Sequence, residues 1–423
     1  MKIKTKFLTY DKVKELKKPK HHPPKKPWFL FSLLVYVLSI PDLIKTKFKC
    51  NYINKFKFKK EPYLILMNHS SFIDLKIASH VLFPKPYSIV CTTDGLVGKK
   101  WLMEKIGCVP TQKFVRDITL IKDLTHILHK NKVSVLMFPE AGYSFDGTST
   151  ALPQNFSRLI KLLNVSVAMI KTDGAFLFDP LYNSLQQRKV KVSASVYELI
   201  NKDDVKTLSL QEIELKVKEA FSFNAFKTQL ENKVVVNEPF RADGLERILY
   251  KCANCKSEGT TIGKGVTFTC SNCKKSYEFT KYGELKALQG ETEFSHIPSY
   301  YNWERETVKS EILSGNYKIE AKVKIGVIKN YSALYMIGNG TLTHDENGFT
   351  LTSDDGLLNY KQPPLSSYSL NSDYYWYEIG DMICIGDKDY LYYCFPEDKS
   401  VSVTKARLAT EELYKIKQKE LSI

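Results

Sequence analysis

The chain has 423 residues, too many for one ordinary domain, and 43% of them are hydrophobic, which excludes a disordered protein and leaves room for two or three packed cores. Its formal net charge is +16, and residues 1–60 hold 17 lysines, no arginine and only three acidic residues (Asp11, Glu15 and Asp42), so +14 of that charge lies there. An enzyme acting on nucleic acid spreads its cations over a folded face; a basic arm points instead to an anionic membrane surface, and no nucleic-acid partner is expected.

The arm leads into "PWFLFSLLVYVLSIP", where Trp28–Ile40 is almost wholly apolar between Pro27 and Pro41. As a helix this segment would be about 20 Å long, short of the roughly 30 Å hydrocarbon core of a bilayer. Interfacial insertion is preferred over a buried core helix because only insertion explains the neighbouring lysines. A signal peptide fits poorly: the basic region is long and contains Pro19, Pro23 and Pro24, and no small-residue cleavage site follows. Residues 1–60 are therefore read as a basic arm with an interfacial segment, and the protein is expected to be peripheral or monotopic at the cytoplasmic face of a membrane. In "KTKFKCNYINKFKFKK", Phe48, Cys50, Tyr52, Phe56 and Phe58 alternate with lysines, which predicts a strand or short hairpin.

Residues 61–235 alternate strand and helix patterns. Strands are predicted at Tyr63–Met67 and over 87–92, 133–138, 165–171 and 189–199. Helices are predicted at Phe72–Leu82, Leu96–Ile106, Ile118–Asn131, Phe156–Leu163 and Leu208–Phe223. This alternation implies an α/β layer with a largely parallel sheet. The pattern lapses over 236–247. A cysteine-rich module is assigned to 248–284, and 297–423, rich in Tyr, Ser, Thr and turn dipeptides, is read as β-rich with a closing helix at Lys405–Lys419.

In an open α/β sheet, ligands gather at the carboxyl ends of the strands. Two such ends carry chemistry. In "EPYLILMNHSSFIDLK", His69 falls in the turn after a strand and Asp74 one turn into the next helix, a separation that can bring the carboxylate under the imidazole. The carboxylate would keep one ring nitrogen protonated and leave the other free to take a proton, with Ser70 or Ser71 capping the helix. In "VLMFPEAGYSFDG", a second strand ends abruptly at Pro139-Glu140.

The ordered pair N-H-x-x-x-x-D and F-P-E-x-x-x-S resembles the 1-acylglycerol-3-phosphate acyltransferase family, the glycerolipid acyltransferases, over roughly residues 30–200. "GCVPTQK" (107–113) and "VSVAMIKTDGAFL" (165–177) occupy the places of the family's other motifs. The resemblance implies a glycerolipid-acyltransferase-like sheet with flanking helices, in which His69 is the general base and Asp74 orients it. It implies that Glu140 and Gly142 help to position the acceptor and that Lys113 contacts phosphate; Asn68 and Ser144, also in the motifs, join this substrate-binding set. The implied reaction moves an acyl chain from acyl-CoA or acyl carrier protein to the hydroxyl of a lysophospholipid such as 1-acylglycerol-3-phosphate. The chain departs from the family's F-P-E-G-T-R-S with Ala141, Gly142 and Tyr143, and so lacks its arginine, a bidentate phosphate ligand. The family's usual proline in the last motif is also absent. The alternative reading is a non-catalytic lipid-binding adaptor that uses the fold as a scaffold.

"CANCKSEGTTIGKGVTFTCSNCK" pairs Cys252-x-x-Cys255 with Cys270-x-x-Cys273 and resembles a zinc ribbon. Four thiolates complete a tetrahedral shell, so structural zinc is expected. The other five cysteines are expected to be reduced thiols. The β-rich region closed by one helix resembles pleckstrin-homology-like domains in its topology.

Overall fold

The computed structural model describes residues 2–421 apart from Arg116. The chain opens with β1 (Thr5–Phe7), which pairs in parallel with Leu334, Tyr335 and Met336 of the C-terminal region. A short helix, Tyr10–Glu15, follows; it buries Val13 completely, and the Tyr10 hydroxyl lies 2.8 Å from that of Tyr392. The start of the chain is thus tied into a distant sheet, whereas a basic arm was expected. Tyr10 and Val13 share one helix face, a pair too short to stand out among the lysines.

The apolar segment forms one helix, Phe29–Lys45, which continues through Pro41. One side packs on the helix Asp74–Leu82, with Tyr36 stacked 4.3 Å from Phe83. The other side leaves Phe29, Leu30, Leu34, Val37 and Leu38 exposed. Trp101, itself exposed, meets Phe31 edge-on at 5.8 Å. No helix among the described residues is long and apolar enough to cross a membrane.

The central sheet has seven strands: β2 (Lys49–Tyr52), β3 (Leu64–Met67), β4 (Tyr87–Thr92), β5 (Cys108–Thr111), β6 (Ser134–Met137), β7 (Val167–Asp173) and β8 (Ser193–Ile200). Their spatial order is β2-β8-β7-β3-β6-β4-β5, parallel throughout except between β7 and β8. The predicted strands are present within a few residues. The hairpin pattern over 48–58 yields only the edge strand β2, with Phe48, Cys50, Phe56 and Phe58 turned toward the core. The predicted helix Ile118–Asn131 ends as α-helix at Thr125 and runs on as a wider turn, His126–Lys130.

β3 lies near the middle and is buried on both faces, the reason its sequence is a continuous apolar run. Leu64 and Leu66 face the core under the helices Phe156–Leu163 and Leu210–Phe221, while Ile65 and Met67 face that under Asp74–Leu82. Any residue that follows Met67 therefore leaves the sheet from its most immobile point.

Beyond the sheet, β9 (Thr261–Lys264), β10 (Thr267–Cys270), β11 (Ser276–Phe279) and β12 (Leu285–Ala287) form a small antiparallel sheet carrying the paired cysteines. A 17-residue helix, Ile297–Leu313, then stands where β structure was expected. Its tyrosines and tryptophan read as strand formers, yet Ile297, Tyr300, Tyr301, Glu304, Val308 and Ile312 recur at helical spacing and are its buried residues.

The C-terminal region is sheet-rich, as expected: β13 (Ile319–Ile328), β14 (Leu334–Asp345), β15 (Gly348–Ser353), β16 (Asn359–Gln362), β17 (Asn371–Trp376), β18 (Gly380–Gly386) and β19 (Leu391–Pro396) run in the order β16-β15-β14-β13-β19-β18-β17, with β1 added on β14. The closing helix, Val403–Leu421, lies against Ile297–Leu313, where Arg305 bridges Glu411 at 2.7 Å and Glu412 at 3.0 Å. One continuous core joins Phe145 and Phe176 near the central sheet to Phe226, Phe268, Tyr277 and the C-terminal strands.

Candidate active site

His69 stands just past the end of β3. Its ring nitrogen Nδ1 is 3.2 Å from Asp74 Oδ2, and Asp74 is wholly buried at the start of the helix Asp74–Leu82. That same carboxylate oxygen accepts the backbone N–H of Ser70 at 2.7 Å and of Ser71 at 3.0 Å. A carboxylate only accepts, so Nδ1 carries the ring proton and Nε2 presents its lone pair. The His69 side chain is 18% exposed, and Nε2 has no hydrogen-bond partner among the described residues. The expected serine cap is absent from this helix. Asp74 instead reaches back and closes the turn, while Ser71 Oγ accepts the N–H of Ile73 at 3.3 Å.

Two rings wall the imidazole. Phe138 lies 4.2 Å away and Tyr143 4.3 Å away, both tilted. Tyr143 occupies the position of the family's arginine. Burial, with Asp373 and Asp74 nearby, holds its phenol neutral, well above the usual range.

Glu140 enters from the end of β6, next to β3. Its Oε2 accepts the His69 N–H at 2.8 Å, and its Oε1 accepts the N–H and hydroxyl of Thr150 at 3.0 and 3.2 Å. It is 1% exposed, and burial pushes its carboxyl up to about 7 against the pull of these hydrogen bonds. The structure thus gives Glu140 to the protein backbone, where acceptor positioning was expected. Asn68 and Ser144 differ from expectation in the same way. Asn68 Oδ1 accepts the Thr172 N–H at 2.8 Å and ties β3 to β7; Ser144 donates its hydroxyl to Thr148 O at 2.6 Å and its N–H to His69 O at 3.2 Å. Both are fully buried, out of reach of a ligand.

Gly142 borders open space: a Cβ there would meet nothing within 4 Å. The left-handed residue in this loop is Ala141, at φ 57°, where the family has its glycine. Gly147, at φ 78°, is a different case, since a Cβ there would come within 2.9 Å of Phe176. It seats the loop against the turn after β7. Lys113 lines a cavity of about 590 Å³ with Phe114, Asn371 and Leu391, between the central domain and the C-terminal sheet. Its charge acts on Asp373, whose carboxyl burial pushes up to about 6. The structure brings together His69, Asp74, Glu140 and Tyr143; it places Lys113 toward the C-terminal sheet. Phe138 was legible only as part of its motif, and Asp373 and Thr150 carried no local signal.

The four cysteines of the small module also converge. Cys252, Cys255, Cys270 and Cys273 place their Sγ atoms within 4.8 Å of one another, with Cys252 and Cys273 3.7 Å apart and Cys255 and Cys270 3.8 Å apart. Four sulfurs at about 2.3 Å from a shared tetrahedral ion are separated by about 3.8 Å. The donor set and its spacing fit such an ion.

Residues 49–170 match the family model described as Acyltransferase. A solved structure, the 1-acyl-sn-glycerophosphate (LPA) acyltransferase PlsC from Thermotoga maritima, is similar at 16% identity over 45% of this chain and 76% of that one, with a TM-score of 0.36. No curated protein sequence matches the chain.

The buried Glu140 makes stability depend on pH. Its folded carboxyl is raised from 4.5 to about 7, so the folded state holds a proton that the unfolded state has already released. Stability is expected to fall as pH rises through that window, with a Glu140 share on the order of 3 kcal/mol. Thermal melts from pH 5 to pH 8 check this: Glu140→Gln should show a flatter pH dependence than the wild type, and an equal slope would discount the residue's role.

Proposed function

The chain carries an acyltransferase domain, and on that premise we propose that it transfers an acyl group from a thioester donor, acyl-CoA or acyl carrier protein, to the hydroxyl of a lysophospholipid at a membrane surface. The observation that carries this reading is His69 held by Asp74 through Nδ1 with Nε2 left open. In the reaction, Nε2 takes the proton of the acceptor hydroxyl as its oxygen forms a bond to the thioester carbonyl carbon. The carbon–sulfur bond then breaks, and the imidazolium returns the proton to the departing thiolate. Asp74 stabilises the positive ring in between. Glu140 serves by holding the His69 backbone. An acceptor such as 1-acylglycerol-3-phosphate fits a lipid-facing enzyme, with Lys113 the motif residue available to its phosphate.

Membrane docking is assigned to the exposed side of the helix Phe29–Lys45 together with Trp101, a surface that Lys25 and Lys26 precede in the sequence. Lys105 lies 3.5 Å over the Trp28 ring, a cation–π contact just before that helix. The four cysteines are read as holding one structural zinc ion in a ribbon-like module; the ion would lock the two knuckles and take no part in acyl transfer. The seven-strand antiparallel path closed by a helix supports the pleckstrin-homology-like reading of the C-terminal region.

Three measurements test these proposals. Acyl transfer to a panel of lysolipids should drop about 10²–10⁴-fold in His69→Ala, and equal thioester consumption by variant and wild type would remove the enzymatic reading. Sedimentation with anionic vesicles should weaken in Leu34→Glu/Leu38→Glu and at raised salt; binding indifferent to both would place the lipid surface elsewhere. Metal analysis should return one zinc per chain, lost in Cys255→Ser/Cys270→Ser with a fall in melting temperature. Metal-free wild type of unchanged stability would count against the ion.

A further inference from the structure

Residues 16–27, "LKKPKHHPPKKP", hold five lysines, two histidines, four prolines and no acid. This segment runs without helix or strand from the helix Tyr10–Glu15 to the helix Phe29–Lys45. Its ends belong to different domains. Just before it, Tyr10 meets Tyr392 of the C-terminal sheet; just after it, the Trp28 N–H is donated to the Lys105 carbonyl of the central domain at 2.9 Å. In between, it is held at Lys18, His21 and Pro24. Lys18 Nζ donates to Asp389 Oδ1 at 2.6 Å and to the Lys388 carbonyl at 3.4 Å. His21 Nε2 lies 3.0 Å from both carboxylate oxygens of Asp123, and the Pro24 carbonyl accepts from Asn131 Nδ2 at 2.9 Å.

Asp389 and Asp123 stand beside opposite walls of the 590 Å³ cavity described above. One wall is Lys113, Phe114 and Val115, which lead into the helix Ile118–Thr125 that carries Asp123. The other includes Gly386, Asp387, Lys388 and Leu391, around the turn from β18 to β19 that carries Asp389. The two sides touch where Phe114 meets Tyr368 edge-on at 5.3 Å. The stretch Lys18–His21 therefore ties one wall to the other, and three residues of chain reach at most about 11 Å.

We propose that residues 16–27 are a strap that holds the cavity around Lys113 closed away from the membrane, and that an anionic lipid surface releases it by taking over its lysines. This rests on the docking surface assigned above to the helix Phe29–Lys45.

Water screens the Lys18–Asp389 pair, whose side chains are both about half exposed, so it favours the closed strap by no more than about fivefold. The tighter hold is His21 on Asp123, a buried carboxyl that desolvation pushes up and the imidazole draws back down. Against these stand the five lysines, each of which adds about fivefold to binding when it reaches an anionic leaflet. The surface therefore wins once it is within reach. The docked helix brings it there, since Lys25 and Lys26 come directly before Pro27 and Trp28 and are exposed. The prolines keep the strap extended and out of any helix, so it leaves the walls as one piece. Release frees the C-terminal turn from the helix Ile118–Thr125. The cavity then opens toward Lys113, the residue available to the acceptor's phosphate, at the surface where such an acceptor resides.

The test is hydrogen exchange in the full-length protein, alone and with vesicles of phosphatidylglycerol or phosphatidylcholine, with vesicle binding followed by sedimentation. In wild type, phosphatidylglycerol should speed exchange about fivefold or more at 113–115 and 386–391, and phosphatidylcholine should leave it unchanged. Lys18→Ala/His21→Ala should show the faster exchange with no vesicle present. Asp389→Asn, which loosens the strap from the opposite wall, should show part of it. The proposal is overturned if wild type binds phosphatidylglycerol with no change at these residues, if phosphatidylcholine acts equally, or if the variants exchange as slowly as wild type. If wild type sediments with neither vesicle, the docking reading falls instead, and the variants' exchange without vesicles still decides whether the strap closes the cavity.

Discussion

One carboxylate oxygen, Asp74 Oδ2, receives the imidazole N–H of His69 and the amides of Ser70 and Ser71. The rest of the site depends on this convergence. It fixes the tautomer, closes the turn between β3 and its helix, and spends the carboxylate's charge in a place with little water. The turn can be this tight because both ends are immobile. β3 is buried on both faces, and Asp74 lies at the foot of a helix whose Ile77, Ala78 and Val81 are in the core. Glu140 then completes the arrangement from the neighbouring strand by taking the His69 N–H, so that two adjacent parallel strands grip one residue from both sides.

The central sheet was legible because a strand buried on both faces must be a continuous apolar run, and helices that cover it must carry an apolar stripe. Leu64–Met67 and Phe156–Leu163 show both patterns plainly. The His69–Asp74 pair was legible for a related reason: its spacing spans one turn and the start of a helix, so local geometry settles it. What failed to show in the sequence depends on long-range partners. The strand Thr5–Phe7 is three exposed residues whose partner is Leu334–Met336. The helix Ile297–Leu313 buries aromatic side chains that favour strands when read in isolation. Glu140, Asn68 and Ser144 were recognisable as motif residues, but motif membership does not distinguish a ligand contact from a backbone brace; only their burial does.

The altered third motif takes on a physical meaning in this setting. A guanidinium at position 143 would bring a charge beside the imidazole. Tyr143 brings a neutral ring at 4.3 Å, and with Phe138 on another side it gives the imidazole an apolar enclosure. Such an enclosure strengthens the Asp74 interaction, since charges attract more strongly where water is scarce. Burial also pushes up the carboxyls of Glu140 and Asp373.

The span that matches the acyltransferase family ends at residue 170, yet the site does not end there. The loop that follows Glu140 is clamped by groups well outside that span. Phe145 packs 4.6 Å from Tyr374 and under the Arg407 guanidinium at 4.3 Å, and the Gly147 carbonyl accepts the N–H of Ala225 at 2.8 Å. Thr150, which holds Glu140, also lines a cavity of about 330 Å³ with Tyr301, Arg305 and Arg407. These links run from the strand Asn371–Trp376 and the helices Ala225–Glu231, Ile297–Leu313 and Val403–Leu421 through this loop to Glu140 and so to the backbone of His69. A sheet cut free at residue 170 would keep the His69–Asp74 turn, which is local, but lose the outer half of the brace on Glu140. The geometry of the His69–Asp74 pair is therefore a property of the central sheet, and its rigidity is shared with the domains that follow.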